Sequence, residues 1–263
     1  MALSHVSSLE HVDDEAFIIV KAAPRTSQTH GETVCIAAID HNGSWVRLYP
    51  VSFRQLEDAQ KFGRWDRIRY RWRKPTLSAD KRVESRRVDQ NSIEIIGKLR
   101  ERDRHAFLNR ASVTSLRAEF EAGRSLALLQ CEIIDFWHER RSREDMTNEA
   151  RVYKNLRDQK DLFAIQKLLP REACPYIFKY RYRDADGEHE GTCQDWETEA
   201  TFLRRRSEMS SETLALEWMH HKFGVEFPRD GMALAMGTHR WRASQWLING
   251  VLRVHSTLQM SLL

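Results

Sequence analysis

The sequence has little of what marks fibrous or disordered chains. Among 263 residues only 11 are glycine and 6 are proline, which excludes a collagen-like or low-complexity polymer. Hydrophobic residues make up 41% and aromatic residues 10%, including eight tryptophans, which is enough for a packed core. We therefore expect a folded protein with one large or two small domains.

Export signals, long apolar runs and paired cysteines are also missing. The first twenty residues contain no basic segment and only a short apolar run at 16–20, so a secretory signal is not expected. The longest mostly apolar stretch, 126–137, is interrupted by three polar residues and is far shorter than the roughly 20 residues of a membrane helix. Four cysteines at irregular spacing indicate reduced thiols. These absences predict a cytoplasmic protein without a membrane span.

Well-known catalytic and DNA-reading motifs are absent as well. The chain has no P-loop, no G-x-G-x-x-G, no nucleophile elbow and no H-E-x-x-H, which disfavours the enzyme classes that depend on them. It has no zinc-finger, basic-zipper or RNP signature. A function therefore has to be inferred from charge and pattern.

Alternating or continuous apolar segments predict strands in both halves of the chain. Segments 16–22, 33–39 and 45–49 have strand length, and Asn42-Gly43 predicts a hairpin between the last two. The alternation at 65–74 fits only a period of two. Further strands are predicted at 92–96, 126–137, 175–183, 232–236 and 246–254, and helices at 53–62, 115–121, 195–206 and 211–223. The sequence thus predicts an α+β fold, strand-rich, with mostly antiparallel sheets in both halves and a few helices.

The composition becomes almost wholly polar between residues 139 and 159, and this change suggests a boundary. We predict a basic strand-rich domain at 1–140, a polar helical linker at 141–170 and a smaller α+β domain at 171–263. No internal repeat of fixed period is found.

Positive charge is concentrated in one fifth of the chain. The net charge is +4, yet residues 61–110 hold 16 Lys or Arg against 7 Asp or Glu, so the remainder is acidic. In the predicted strand at 65–74 four arginines share one face, spaced about 6.6 to 6.8 Å apart. We call them the arginine ladder: Arg67, Arg69, Arg71 and Arg73.

A row of like charges without acids on the same strand face predicts an anionic partner, and the phosphate backbone of DNA or RNA is the commonest one. Trp65 shares the ladder's face and is a candidate for stacking on a base. Two other interpretations stay open: acids from elsewhere in the fold neutralise the ladder, or the protein is an interaction or assembly module whose basic face pairs with an acidic partner. The predicted nucleic-acid contacts are Arg64, Trp65, Arg67, Arg69, Arg71, Arg73, Lys74, Lys81, Arg82, Arg86 and Arg87.

Four residues of the second half are candidates for hydrolysis of the bound strand, although the sequence leaves open whether there is a reaction. Asp195 and Glu197 would hold a divalent metal or act as general base, Lys179 would stabilise charge and His189 would act as acid. The simpler interpretation is structural, because Asp195 is well placed to cap a helix and Glu197 to interact with its dipole.

Three segments carry a resemblance to known sequences: WVRLYPVSFRQLE at 45–57, KFGRWDRIRYR at 61–71 and DWETEATFL at 195–203. They resemble an uncharacterised prokaryotic protein family over much of the chain's length. The resemblance implies a bacterial or archaeal cytoplasmic protein and supplies no activity, cofactor or catalytic residue.

Overall fold

A computed structural model gives the fold and describes residues 11–23, 25–27, 31–53, 56–76, 80–160, 172–239 and 242–254. The fold is α+β and strand-rich, with three mostly antiparallel sheets, as predicted. The strands are β1 (Val12–Lys21), β2 (Arg25–Ser27), β3 (Gly31–Asp40), β4 (Trp45–Val51), β5 (Asp66–Arg73), β6 (Ser85–Lys98), β7 (Ser112–Val113), β8 (Leu126–Gln130), β9 (Glu132–Arg140), β10 (Tyr176–Asp184), β11 (Gly187–Thr192), β12 (Met232–His239) and β13 (Arg242–Arg253). The α-helices are α1 (Glu101–Ala111), α2 (Leu116–Glu121), α3 (Arg143–Lys160), α4 (Trp196–Met209), α5 (Glu212–Met219) and α6 (Phe227–Asp230).

Five strands of the first half close a barrel. β1 pairs antiparallel with β3 and with β5, β3 pairs antiparallel with β4, and β5 pairs antiparallel with β6. The parallel pair of β4 and β6 completes the ring, and the short β2 extends β3. Counting only the five ring strands, their order is 1-2-3-5-4-1, which is the topology of the OB-fold, a Greek-key barrel.

The hairpin that joins β3 to β4 forms where Asn42-Gly43 predicts it. Gly43 adopts a positive φ of 82°, which a residue without Cβ tolerates. The carboxylate of Asp40 accepts hydrogen bonds from the backbone N–H groups of Asn42 and Ser44, each at 2.9 Å. The turn is therefore specified locally, before any packing.

The second half contains two sheets, with the strand orders β11-β10-β9 and β13-β12-β8-β7. The single strand predicted at 126–137 is two strands, because the chain changes sheet at Cys131: β8 pairs with β12, and β9 pairs with β10. In the sequence this change is marked by the polar residues Gln130 and Glu132 on the two sides of Cys131. The described residues include no helix long and apolar enough to cross a membrane.

The sheet formed by β7, β8, β12 and β13 is the middle layer of the molecule. Along β12, Ala233 and Ala235 pack toward the barrel, whereas Leu234 and Met236 pack toward the helices and the other sheet. β12 is consequently buried on both faces, and its sequence is a continuous run of small and apolar residues rather than an alternating one.

Several elements differ from the prediction in extent or kind. In the segment 53–62 the described residues include a 3₁₀ turn at Asp58–Gln60 and no α-helix, β6 is much longer than the predicted 92–96, and α1 is not predicted at all. The helix predicted to stop before Gly224 continues as a π-helix over His220–Glu226. A Cβ at Gly224 would lie 3.2 Å from Cβ of Phe136, so the glycine serves close packing rather than termination. The division into domains at 140 and 170 stays a prediction; β8 and β9, which precede it, share sheets with strands that follow it.

Candidate nucleic-acid interface

The first two ladder arginines point outward from β5 but are already paired. Arg67 Nη2 lies 2.6 Å from Glu15 Oε2, and Arg69 Nη2 lies 3.0 Å from Glu15 Oε1. Arg69 also reaches Glu94 on the other side, with 3.4 Å between Nη1 and Oε2. The hydrogen bond from Arg69 is the largest of the effects that hold the pKa of Glu15 below its usual range. The charges of these two arginines are therefore neutralised by carboxylates of β1 and β6.

The third ladder arginine is paired in the same way. Arg71 Nη2 donates to Asp89 Oδ2 at 3.0 Å, and the two residues are cross-strand neighbours of β5 and β6. Three of the four ladder arginines are therefore neutralised by the protein's own acids, one of the interpretations that the sequence leaves open. The acids come from adjacent strands that are remote in sequence, so the pattern of β5 alone does not reveal them.

The end of β5 is different, because its cations lie beside other cations. Arg73 pairs in register with Arg87 of β6, and like charges directly opposite each other destabilise a sheet. Lys74 and Lys81 belong to the connection between the two strands. No carboxylate among the described residues forms an ion pair with any of these four side chains. We call Arg73, Lys74, Lys81 and Arg87 the barrel-end cations.

Two further predicted contacts turn toward the protein. Arg64 is mostly buried, with Nη2 3.0 Å from Glu197 Oε2 and 3.6 Å from Asp195 Oδ1. Arg82 donates to the carboxylate of Asp80 at 2.7 Å and also to a backbone carbonyl of β12. Both arginines hold the barrel against the second half of the chain and are not available to a phosphate.

Trp65 is engaged within the fold, and Arg86 is engaged there in part. Trp65 has a positive φ of 74° and packs against the cluster between barrel and middle layer, with the Arg104 guanidinium 4.9 Å from its ring centroid. The Arg86 guanidinium lies 4.0 Å from the centroid of Trp72, and its Nη1 donates to the carbonyl of Val83. A base-stacking role for Trp65 would require this packing to open.

The face that OB-folds usually offer to ligands is covered here. That face belongs to the second and third strands of the barrel, which are β3 and β4 in this chain. Ala37 and Ile39 of β3 are buried against Leu126 and Leu128 of β8 and Ala235 of β12. A ligand therefore has no access to these β3 residues in the folded protein.

Asp195 serves the fold as a helix cap. It is 2% exposed, its Oδ1 accepts from the backbone N–H of Glu197 at 3.3 Å, and its Oδ2 accepts from the Thr198 hydroxyl at 3.1 Å. Burial raises the pKa of Asp195 to about 6, although the neighbouring Arg64 acts in the opposite direction. This is the structural interpretation that the sequence offers for the residue.

Of the other three catalytic candidates, Glu197 is the ion-pair partner of Arg64, and Lys179 and His189 lie on opposite faces of the sheet formed by β9, β10 and β11. Lys179 Nζ is 2.7 Å from Glu139 Oε1 on the outer face. His189 is opposite the buried Tyr182, and its Nε2 is 2.9 Å from Asp184 Oδ1. The structure therefore does not bring the predicted catalytic set together. In the described part of the chain no three His, Cys, Asp or Glu side chains are grouped closely enough to hold a metal ion.

Two family models match the chain. A model described as a domain of unknown function, DUF8757, matches residues 109–262, more than half of the chain. The chain belongs to this family. A second model, DUF8758, also a domain of unknown function, matches residues 13–113, which include the barrel. The resemblance to an uncharacterised family is thus confirmed, and its prokaryotic origin stays a prediction.

Comparisons beyond the DUF8757 family add no function. No curated protein matches the chain. One solved structure, described as "Molecular basis for abrogation of activation of pro-inflammatory cytokines", aligns with 7% identity and a TM-score of 0.31 over 73% of this chain and 83% of that chain. A likeness of this level supports no inference.

Sequence reasoning missed the buried cations that join the barrel to the DUF8757 region. Lys21 Nζ lies 4.6 Å from the ring centroid of Phe53 and 5.6 Å from that of Trp196, and burial lowers the pKa of Lys21. Arg47 is 3% exposed and donates to the carbonyl of Ser125 at 3.0 Å. The position of Lys21 at the end of an apolar strand is a sequence signal for its burial. Nothing in the sequence distinguishes Arg47 from other arginines in strands.

Proposed function

We propose that this protein binds a strand of DNA or RNA through phosphate contacts with the barrel-end cations. The observation that carries the proposal is the pair formed by Arg73 and Arg87, two cross-strand neighbours of the same charge without a carboxylate partner among the described residues. Lys74 and Lys81 extend this positive surface along the connection between β5 and β6.

A phosphate fits the electrostatic need of this surface. Elsewhere on β5, carboxylates of neighbouring strands lie between the guanidinium groups and remove their repulsion. Between Arg73 and Arg87 an external anion would take the position that a carboxylate holds elsewhere on β5. Guanidinium groups bind phosphate through paired, charge-assisted hydrogen bonds. The OB-fold topology adds no support of its own, because the face on which OB-folds bind oligonucleotides is covered here.

Hydrolysis of the bound strand is not part of the proposal. Its predicted residues are separated into a buried helix cap and two faces of another sheet. Binding through phosphates alone gives affinity with little choice of base.

A salt titration tests the proposal. Fluorescence anisotropy with labelled single-stranded DNA, single-stranded RNA and duplex DNA should give affinities that fall log-linearly with salt, with slopes of about −0.7 per phosphate for single strands and −0.9 for duplex. The double variant Arg73→Gln/Arg87→Gln should lose at least about tenfold in affinity and flatten the slope by about one to two phosphates.

The matched control is Arg67→Gln/Arg69→Gln, which removes the same charge from the paired part of the same strand. It should change affinity less than about twofold, because these guanidinium groups already have carboxylate partners. Equal losses in the two double variants, or no retention of any nucleic acid at low salt, would overturn the proposal. Dissociation of an oligomer by Arg73→Gln/Arg87→Gln, without nucleic-acid binding, would point to the assembly module instead.

A further inference from the structure

A cavity of about 460 Å³ lies at the end of the barrel where β6 begins and the hairpin joins β3 to β4. The hairpin of β3 and β4 contributes residues 43–45 to its wall, the start of β6 and the residues before it contribute 83–86, and the end of α1 with β7 contributes 110–113. Glu119 and Arg124 complete the lining. Its volume is in the usual range of small-molecule sites, and its position between two parts of the fold is typical of them.

The two carboxylates in the wall are already saturated. Glu84 is 7% exposed, and it accepts hydrogen bonds from the backbone N–H of Ser125 at 2.5 Å and from its hydroxyl at 2.9 Å. Glu119 is equally buried and accepts from Arg124 Nη2 at 2.6 Å. Both acids thus have hydrogen-bond donors within the fold, and Arg124 is neutralised by Glu119.

Two other arginines in the wall retain free donors. Arg110 uses only Nε, which donates to the carbonyl of Ala106 at 3.3 Å, and its two terminal nitrogens have no acceptor among the described residues. Arg86 uses Nη1 on the carbonyl of Val83, and its Nη2 makes no hydrogen bond within the described part of the chain. Neither side chain forms an ion pair with a described carboxylate. The wall thus holds three arginines, Arg86, Arg110 and Arg124, against two carboxylates, Glu84 and Glu119, and its net charge is positive.

We propose that this cavity binds a phosphate monoester of about the size of a mononucleotide. Arg86 and Arg110 would hold the phosphate, since both residues line the same cavity and each has a terminal guanidinium nitrogen without an acceptor among the described residues. Val83, which is 65% exposed, and the partly buried ring of Trp45 supply apolar surface for the rest of the molecule. The phosphate monoester is either a free mononucleotide or the 5′ end of a nucleic-acid strand, and the site does not depend on the barrel-end cations.

Calorimetry with AMP, adenosine and inorganic phosphate tests the site. Binding of AMP without binding of adenosine is expected, and Arg110→Gln should weaken AMP binding at least about tenfold. Arg102→Gln is the matched control, because it removes the same charge from an exposed position of the same helix outside the cavity. Equal losses in both variants, or equal binding of AMP and adenosine, would overturn the assignment.

A second arm distinguishes the two sources of phosphate. An oligonucleotide with a 5′-phosphate is compared with the same oligonucleotide ending in a 5′-hydroxyl. A preference of about tenfold for the phosphorylated strand, lost in Arg110→Gln, would assign the cavity to strand ends, whereas AMP binding without that preference would assign it to free nucleotides. Absence of both would refute the proposal. In either case Arg73→Gln/Arg87→Gln should still bind AMP, so this outcome is separable from the test of strand binding.

Discussion

Two stretches of the same strand face carry the same residue type and differ in chemistry. Along the first stretch of β5, Arg67, Arg69 and Arg71 form ion pairs with acids of β1 and β6. Along the last stretch, Arg73 is opposite Arg87 and has no such partner among the described residues. The alternation that defines the arginine ladder is identical in both. The neighbouring strands therefore decide whether a basic face is structural or free to bind.

The register of the barrel explains where the change occurs. β1 begins at Val12, which pairs with Trp72, so Arg73 lies beyond the last residue of β5 that pairs with β1. On the other side, β6 contributes Asp89 opposite Arg71 but Arg87 opposite Arg73. From Arg71 to Arg73, two residues further along β5, the cross-strand partner changes from an aspartate to an arginine, and the surface changes from neutral to cationic.

The largest effect is expected where the second half of the chain packs against the barrel, at the contact between β13 and β1. A Cβ at Gly250 would lie 2.5 Å from Cγ2 of Val20, so Gly250→Ala should force β13 away from β1 and destabilise the protein by about 2 kcal/mol. Urea unfolding measures this change. Gly97→Ala is the control, because nothing lies within 4 Å of a Cβ at that strand position.

An equal loss of stability in these two alanine variants would contradict the close approach of β13 to β1. It would also weaken the argument that the second half of the chain packs closely against the barrel, and with it the contrast between the covered face of the barrel and its basic end.

The second largest effect should come from removing the acids that neutralise the ladder. Glu15→Gln/Glu94→Gln would free Arg67 and Arg69 and extend the cationic surface of the barrel end along β5. Nucleic-acid affinity at low salt should rise about tenfold, with one to two more phosphates in the salt dependence. Anisotropy titrations measure both. An unchanged salt slope would show that a bound strand does not run along this face.

Local sequence signals predicted the parts of the fold that local interactions determine. The turn at Asn42-Gly43 and the cap at Asp195 depend on residues within a few positions, and both form as expected. The break at Cys131 was not predicted, because a change of sheet is decided by β10 and β12, far away in the chain. Propensity likewise gave no warning that a π-helix would continue past Gly224.

The candidate site was predictable only in part for the same reason. The excess of positive charge near Arg73 and Arg87 can be read from the sequence, but the acids that neutralise the rest of the ladder are distant in it. The sequence gives no reason to single out Arg110 as a phosphate ligand, because the cavity that it lines is formed by segments that are far apart in the chain.

Acidity offers a third way to examine cations that are committed to the fold, through the contact between Arg64 and Asp195. Burial raises the pKa of Asp195 from 3.8 to about 6, so the folded state holds the proton more tightly than the unfolded state does. The stabilisation from this group is complete below pH 3.8 and is lost as the pH rises through about 6. The unfolding free energy of the wild type relative to Asp195→Asn should therefore be about 1 kcal/mol greater at pH 5 than at pH 7.5. Urea denaturation at the two pH values measures this, and a constant difference would argue against a raised pKa.

The smallest effect is the one that separates the two stretches of β5 by stability alone. Arg69→Gln leaves Glu15 and Glu94 with fewer partners, so it should lower the unfolding midpoint by about 1 to 3 °C. Arg73→Gln removes repulsion from Arg87 and should leave the midpoint unchanged or raise it by a similar amount. Opposite signs at positions four residues apart on one strand face would mean that the first arginine serves the fold and the second is retained for a partner. A decrease of equal size in both variants would mean that Arg73 has a stabilising contact of its own and would remove the contrast.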